Sequence, residues 1–207
     1  MKVLLVNGSP HLKGCTFTAL GAVADSLKEE GVETEIFQIG AQAVLDCTGC
    51  YACVEKGKCV FDDIVNPFVE KAAEFDGFVF GSPVYYAHPS GRILSFLDRA
   101  FFSGGKAFAY KPACAVVSAR RAGTTASFDV LNKYFTINNM PVVSANYWNN
   151  VHGQSPEDVA EDAEGLQVMR RLGKNMAWLL KCIEAGRQND IVPPPAEPKV
   201  RTNFIRR

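Results

Sequence analysis

The chain lacks a long apolar run and has no excess of either charge. Its apolar stretches stop well short of the ~20 residues that a membrane-crossing helix needs, so no membrane partner is expected. Lys plus Arg number 22 and Asp plus Glu number 22; a neutral chain offers no electrostatic case for nucleic acid or an anionic membrane surface. The opening run Val3–Val6 is broken by Asn7 and Gly8. It is too short for the core of a secretory signal, so a cytoplasmic location is expected. Two phosphate-loop signatures are also missing. No Gly-Lys-Ser/Thr closes the loop Gly8–Thr16, and its glycines do not follow G-x-G-x-x-G.

What is present reads as a globular α/β chain. Hydrophobic residues make up 47% and charged residues 21%, which excludes disorder. At 207 residues the length suits one sizeable domain. Val3–Val6 is a continuous apolar run, the mark of a buried parallel strand. A small-residue loop follows, and then a helical pattern from Thr16 to Glu30, with Phe17, Leu20, Val23, Ala24 and Leu27 on one face and Gly31 as the stop. A loop between strand and helix N-terminus aims free amides and hydroxyls at one spot, and the helix dipole adds positive charge there. A phosphate is the natural occupant; an ordinary capped βα turn is the alternative.

Further strands are expected at Val32–Ile39 (an edge strand, polar on both faces), Gly77–Gly81, Pro112–Ser118 and Met140–Ala145. Helices are expected at Ile64–Phe75, Ser90–Phe102, Ala126–Asn138 and from Glu157 towards Ala185, the last bent at Gly165 or Gly173. Ser82–Pro89 and Ala119–Thr125 read as loops at strand ends. Five strands alternating with five helices imply one doubly wound parallel sheet. Right-handed crossovers then gather the strand-end loops on one edge. In the order 2-1-3-4-5 a ligand sits between strands 1 and 3. Residues 1–186 form this domain, and 187–207 read as an extended Pro-rich basic tail with Pro193, Pro194, Pro195, Pro198, Lys199, Arg201, Arg206 and Arg207.

Seven cysteines in a cytosolic chain point to metal or redox chemistry before disulfides. Four of them, Cys47, Cys50, Cys53 and Cys59, lie in the connection 40–63, which is long for its place in such a fold. Soft thiolates select an iron–sulfur cluster or zinc, and free reduced thiols are the third reading. Cys114 and Cys182 are expected as small core residues.

The motifs Asn7-Gly8-Ser9-Pro10 … Gly14-Cys15-Thr16 and Gly81-Ser82-Pro83-Val84-Tyr85-Tyr86 together resemble the NADPH-dependent FMN reductase and flavodoxin-like superfamily, over about residues 1–185. The resemblance implies that Ser9, Gly14, Cys15 and Thr16, with the amides up to Phe17, hold the FMN phosphate. It implies that Ser82, Pro83, Val84, Tyr85 and Tyr86 line the flavin ring, and that the loop from Ala119 through Arg120 to Gly123 closes its other edge. Relatives often carry Asn where this chain has Cys15, so one phosphate contact is expected from the Cys15 backbone. Arg120 and Arg121 suit a nicotinamide dinucleotide phosphate or the flavin's electron-rich edge, or are simply solvated.

The spacing Cys47-x2-Cys50-x2-Cys53-x5-Cys59 is similar to the compact cysteine motif of the iron–sulfur flavoproteins, which pair FMN with a [4Fe–4S] cluster. Three cysteines two residues apart can take three irons of a cubane, and the fourth, after a longer turn, can take the last. The resemblance implies an oxidoreductase passing electrons between a ferredoxin-like one-electron donor and a two-electron acceptor, assembled as a homodimer or homotetramer. A cluster-free NAD(P)H-dependent FMN or quinone reductase and a flavodoxin-like electron carrier are the alternatives. No acid–base pair stands out, so no catalytic side chain is assigned.

Overall fold

The computed structural model describes residues 1–202 and Phe204. Strand β1 (Lys2–Asn7) lies inside the sheet, and its side chains alternate between two cores: Val3 and Leu5 on one face, Leu4 and Val6 on the other. β2 (Glu33–Gln38) pairs with it on one side and β3 (Gly77–Tyr85) on the other, setting Val3 against Thr34 and against Gly77. A two-residue strand, β4 (His88–Pro89), folds back antiparallel on the end of β3. β5 (Ala113–Ala119) continues the sheet beyond β3, and β6 (Asn150–His152) forms its far edge. The order β2-β1-β3-β5-β6 is the expected flavodoxin-like 2-1-3-4-5 once the antiparallel β4 is set aside.

One face is covered by α1 (Cys15–Glu29), α6 (Pro156–Glu161) and α7 (Ala163–Arg187). The other is covered by α3 (Val65–Ala72), α4 (Gly91–Gly104) and α5 (Thr124–Ile137). A phenylalanine cluster binds α4 to that second face, with Phe68 and Phe96 rings 4.7 Å apart and Phe101 and Phe108 also 4.7 Å apart. The short helix α2 (Ala52–Lys56) lies in the cysteine-bearing connection.

Four sequence expectations need correction. Met140–Ala145 is not the fifth strand. It makes a single bridge, Val142 to Ala113, and the fifth parallel strand is Asn150–His152. Between these two contacts the Ala115 carbonyl accepts from the Asn149 side-chain amide at 3.0 Å instead of from a backbone amide, which lets residues 144–148 leave the sheet. Ser82–Tyr85 is the end of β3 and not a loop, because β5 pairs with Ser82 and Pro83 and β4 gives Val84 and Tyr85 an antiparallel partner. The last helix is broken at Asp162 and does not merely bend at Gly165 or Gly173. Asp162 caps α7 by accepting from the Gly165 amide at 2.9 Å and also takes the His152 amide at 2.7 Å. Gly173 instead permits close packing on α1, since a Cβ there would lie 2.7 Å from Ser26 Cβ. Finally, Cys182 is exposed on α7, whereas Cys114 is buried in β5 and burial pushes its thiol far up. α7 runs to Arg187, and residues 191–202 are exposed and carry no helix or strand. Arg206 and Arg207 of the basic tail lie outside the described residues.

Candidate functional site

Two sites emerge, one at the C-terminal ends of the parallel strands and one on the outer side of α4. The first is built around the loop joining β1 to α1. Asn7, fully buried, donates to Gln38 Oε1 at 2.8 Å and accepts from the Ser9 amide at 3.0 Å, which fixes the turn. The Gly8 amide donates to the Gly81 carbonyl at 2.8 Å, and the Ser90 hydroxyl donates to the Gly8 carbonyl at 3.1 Å. A Cβ on Gly8 would stand 2.8 Å from that Gly81 oxygen, so only glycine allows the β1 and β3 loops to meet here. The Ser9 Oγ accepts from the His11 amide at 3.2 Å, leaving its own proton for a ligand.

Gly14 is the N-cap of α1; no side chain caps the helix and no acid stands in its first turn. The first-turn amides of Cys15, Thr16 and Phe17 are therefore open to an anion. The Thr16 and Ser118 hydroxyls lie 2.8 Å apart and tie α1 to the end of β5. The Cys15 thiol reaches the Gly153 carbonyl at 3.7 Å. Burial, with Asp158 and Glu157 nearby, pushes that thiol up, so it stays neutral beside an anion.

An open cleft of about 240 Å³ is lined by Ser9, Cys15, Thr16, Pro83, Val84, Tyr85, Ala119 and Arg120, with His11, Ser118, Gly153 and Gln154. It thus brings together eight of the thirteen residues singled out for a flavin. Gly14 faces an adjoining hollow. The Ser82 side chain points inward, accepting from the Ser90 amide at 3.1 Å and donating to the Pro83 carbonyl at 2.9 Å. Gly123, with φ +89°, caps α5 and would strike Val84 if it bore a Cβ. Tyr86, with φ +59°, projects fully into solvent at the β3–β4 turn, and Phe17 stands on α1 outside the cleft wall. Ser118, Gly153 and Gln154 escape a sequence reading. Only the position of Ser118 at the end of a buried strand could have flagged it; the β6–α6 loop carries no comparable mark.

In the second site Cys47, Cys50, Cys53 and Cys59 line one small hollow, walled by Phe61, Arg99 and Phe102. Left-handed backbone at Tyr51 (φ +58°) and Gly57 (φ +68°) brackets α2 and turns the chain so that Cys53 and Cys59 face inward. Asn66 clamps the last turn, accepting from the Cys59 amide at 2.9 Å and donating to the Cys59 carbonyl at 2.9 Å. Arg99, 1% exposed, donates Nε to Cys59 Sγ at 3.2 Å and holds Asp63 with Nη1 and Nη2 at 2.5 and 2.8 Å. Burial works against the charge on Asp63, yet the Arg99 guanidinium and the Val65 amide outweigh it and hold the carboxyl below its ordinary range. Burial, with the three other thiols nearby, pushes the Cys53 thiol up. Among the described residues no three His, Cys, Asp or Glu side chains converge on a point where one ion would sit.

No helix among the described residues is long and apolar enough to cross a membrane. The model of the NADPH-dependent FMN reductase family matches residues 1–155. An iron–sulfur flavoprotein of Methanocaldococcus jannaschii is 32% identical over 89% of this chain and 100% of its own length. An iron–sulfur flavoprotein of Methanosarcina thermophila is 28% identical over 90% of this chain and 99% of its own. A flavodoxin from the domain Archaea superposes with a TM-score of 0.59 at 15% identity, covering 87% of this chain and 99% of that one. The uncapped helix at the end of β1, the cleft between the β3 and β5 ends and the match over residues 1–155 agree, and the chain belongs to the NADPH-dependent FMN reductase family, as a flavin oxidoreductase homologous to the iron–sulfur flavoproteins.

Proposed function

We propose that this chain binds FMN in the strand-end cleft and a [4Fe–4S] cluster on Cys47, Cys50, Cys53 and Cys59, and passes electrons between a ferredoxin-like one-electron donor and a two-electron acceptor. One observation carries the cluster reading: Cys47, Cys50, Cys53 and Cys59 all line one hollow, a set of four soft thiolates. Four cysteine thiolates are the ligand set of a [4Fe–4S] cluster, and the homology to the iron–sulfur flavoproteins supports that group over zinc. FMN exchanges electrons in pairs or singly, and a [4Fe–4S] cluster exchanges them singly.

The chain's own residues bind and orient. The open amides of α1, with the Ser9 and Thr16 hydroxyls, suit a phosphomonoester dianion held without a lysine. Pro83, Val84 and Tyr85 line the cleft beside Ala119 and Arg120, and the Arg120 guanidinium would offer positive charge to a bound flavin. Ser90, at the N-cap of α4, touches the Gly8 loop, and Arg99 stands nine residues further along the same helix. At 1.5 Å per residue the Arg99 backbone lies about 14 Å along the helix from that contact. The chain would assemble as a homodimer or homotetramer, in which one chain's cysteine hollow could face another's cleft.

A cluster-free NAD(P)H-dependent FMN or quinone reductase is the second reading, favoured by the family match and by the exposed Arg120 at the cleft with Arg121 next to it in the chain, which suit NAD(P)H as co-substrate. An absorption spectrum of protein purified without oxygen, with iron and acid-labile sulfide counted on the same sample, separates the two. Flavin bands over a broad visible shoulder with about four irons and four sulfides per chain support the cluster. Flavin bands without iron, even after anaerobic reconstitution, leave the second reading.

A further inference from the structure

We propose that Arg99 is a positioning residue that raises the reduction potential of a cluster bound by the four cysteines, acting through Cys59. The inference rests on the cluster reading above and concerns a side chain 40 residues from the cysteine it touches. A guanidinium that served only to anchor the loop would need its two terminal nitrogens. Both are used in that way: Nη1 and Nη2 grip Asp63, and Nη1 also donates to the Leu45 carbonyl at 3.2 Å. The remaining nitrogen, Nε, points instead at Cys59 Sγ, 3.2 Å away. The plane is held in that direction by the Phe61 ring, whose centroid lies 5.0 Å from the guanidinium carbon.

The charge balance at this point is uneven. Arg99 is 1% exposed and Asp63 is 26% exposed, and Asp63 lies on the far side of the guanidinium from the sulfur. Solvent therefore screens the carboxylate more than the cation, and the sulfur faces a net positive field and an N–H donor together. Adding one electron to a tetrathiolate cluster adds one negative charge. A buried cation and an N–H···S contact both favour that more negative state, which raises the potential. Among the four cysteine sulfurs, the hydrogen bond from this guanidinium goes to Cys59.

The test is a redox titration of the anaerobically purified full chain, followed by the electron paramagnetic resonance of the reduced cluster, with iron counted on each sample. Arg99→Gln at full iron content is expected to shift the one-electron equilibrium at least tenfold towards the oxidised cluster, about 59 mV lower. Arg99→Lys keeps the charge but not the fork and falls between the two. FMN in the same samples, held in the strand-end cleft that Arg99 does not line, keeps its potential and serves as the internal control. A cluster potential unchanged in Arg99→Gln with full iron overturns the proposal and leaves Arg99 as a structural anchor. Should Arg99→Gln hold less than full iron, Asp63→Asn decides: freeing the cation from its counter-ion raises the potential if the proposal holds, and an unchanged value overturns it. Wild-type protein that takes up no iron after reconstitution overturns the cluster reading itself, a result distinct from either of these.

Discussion

Gly8→Ala is the substitution on which the strand-end site can be tested most directly. A Cβ at this position would lie 2.6 Å from Ile93 Cδ1 and 2.8 Å from the Gly81 carbonyl oxygen. The isoleucine tip can turn away, but the carbonyl belongs to the buried central strand β3 and cannot. Ordinary contact with that oxygen requires the two loops to separate by roughly half an ångström. The Gly8 N–H···O=C bond, now 2.8 Å, would then stretch past the useful range. Losing it costs about 1 kcal/mol, and the overpacking adds about 1–3 kcal/mol. Unfolding by urea should therefore show a loss of about 2–4 kcal/mol. Because the same shift moves Ser9 and the α1 N-terminus apart from the β3 end, FMN affinity, read from quenching of flavin fluorescence, should fall at least about tenfold. Gly21→Ala supplies the contrast: nothing lies within 4 Å of a Cβ there, and in mid-helix it should stabilise by about 0.5–1 kcal/mol. A Gly8→Ala protein as stable as wild type, with unchanged FMN affinity, would refute the claim that the β1 and β3 loops meet through this glycine.

Three further outcomes follow from the geometry. Asp162→Ala removes both the α7 cap and the acceptor for the His152 amide, and should cost about 1–3 kcal/mol in chemical denaturation; Asp162→Asn, which keeps an acceptor oxygen, should recover part of it. Burial holds the Lys111 ammonium below its ordinary 10.5, with Asp76 opposing and Arg187 adding to the effect. The folded state therefore gives up this proton first, and wild type should gain stability relative to Lys111→Met as pH rises from below the folded value towards 10.5. Parallel pH profiles for the two proteins would contradict that assignment. Replacing Cys47, Cys50, Cys53 or Cys59 by Ala should abolish the iron content of the purified protein while FMN binding persists, whereas Cys182→Ser, at an exposed site on α7, should change neither.

The parts of this protein that could be read from the chain alone depend on near neighbours. Val3–Val6, the small-residue loop and the start of α1 fall within the first 16 residues, where apolar continuity, a turn and helical spacing follow from local chemistry. The cysteine spacing over 47–59 is local in the same sense, and the alternation of strands and helices marks a doubly wound parallel sheet, with the order 2-1-3-4-5 following from the flavodoxin-like resemblance. Contacts between distant residues decided the rest. Met140–Ala145 is as apolar as a strand, but the partner edge on β5 goes to Asn150–His152, with the Asn149 side chain filling the gap between. The break at Asp162 arises because its carboxylate serves the end of β6 as well as α7, and Cys182 faces solvent on the helix that begins there. Arg99 reads in the sequence as one more charge on a helix, but in the fold it is buried against Asp63 and Cys59. Periodicity and turn chemistry act within a few residues and so are written in the sequence. Which buried charge meets which thiol depends on how whole elements pack, and only the tertiary structure determines it.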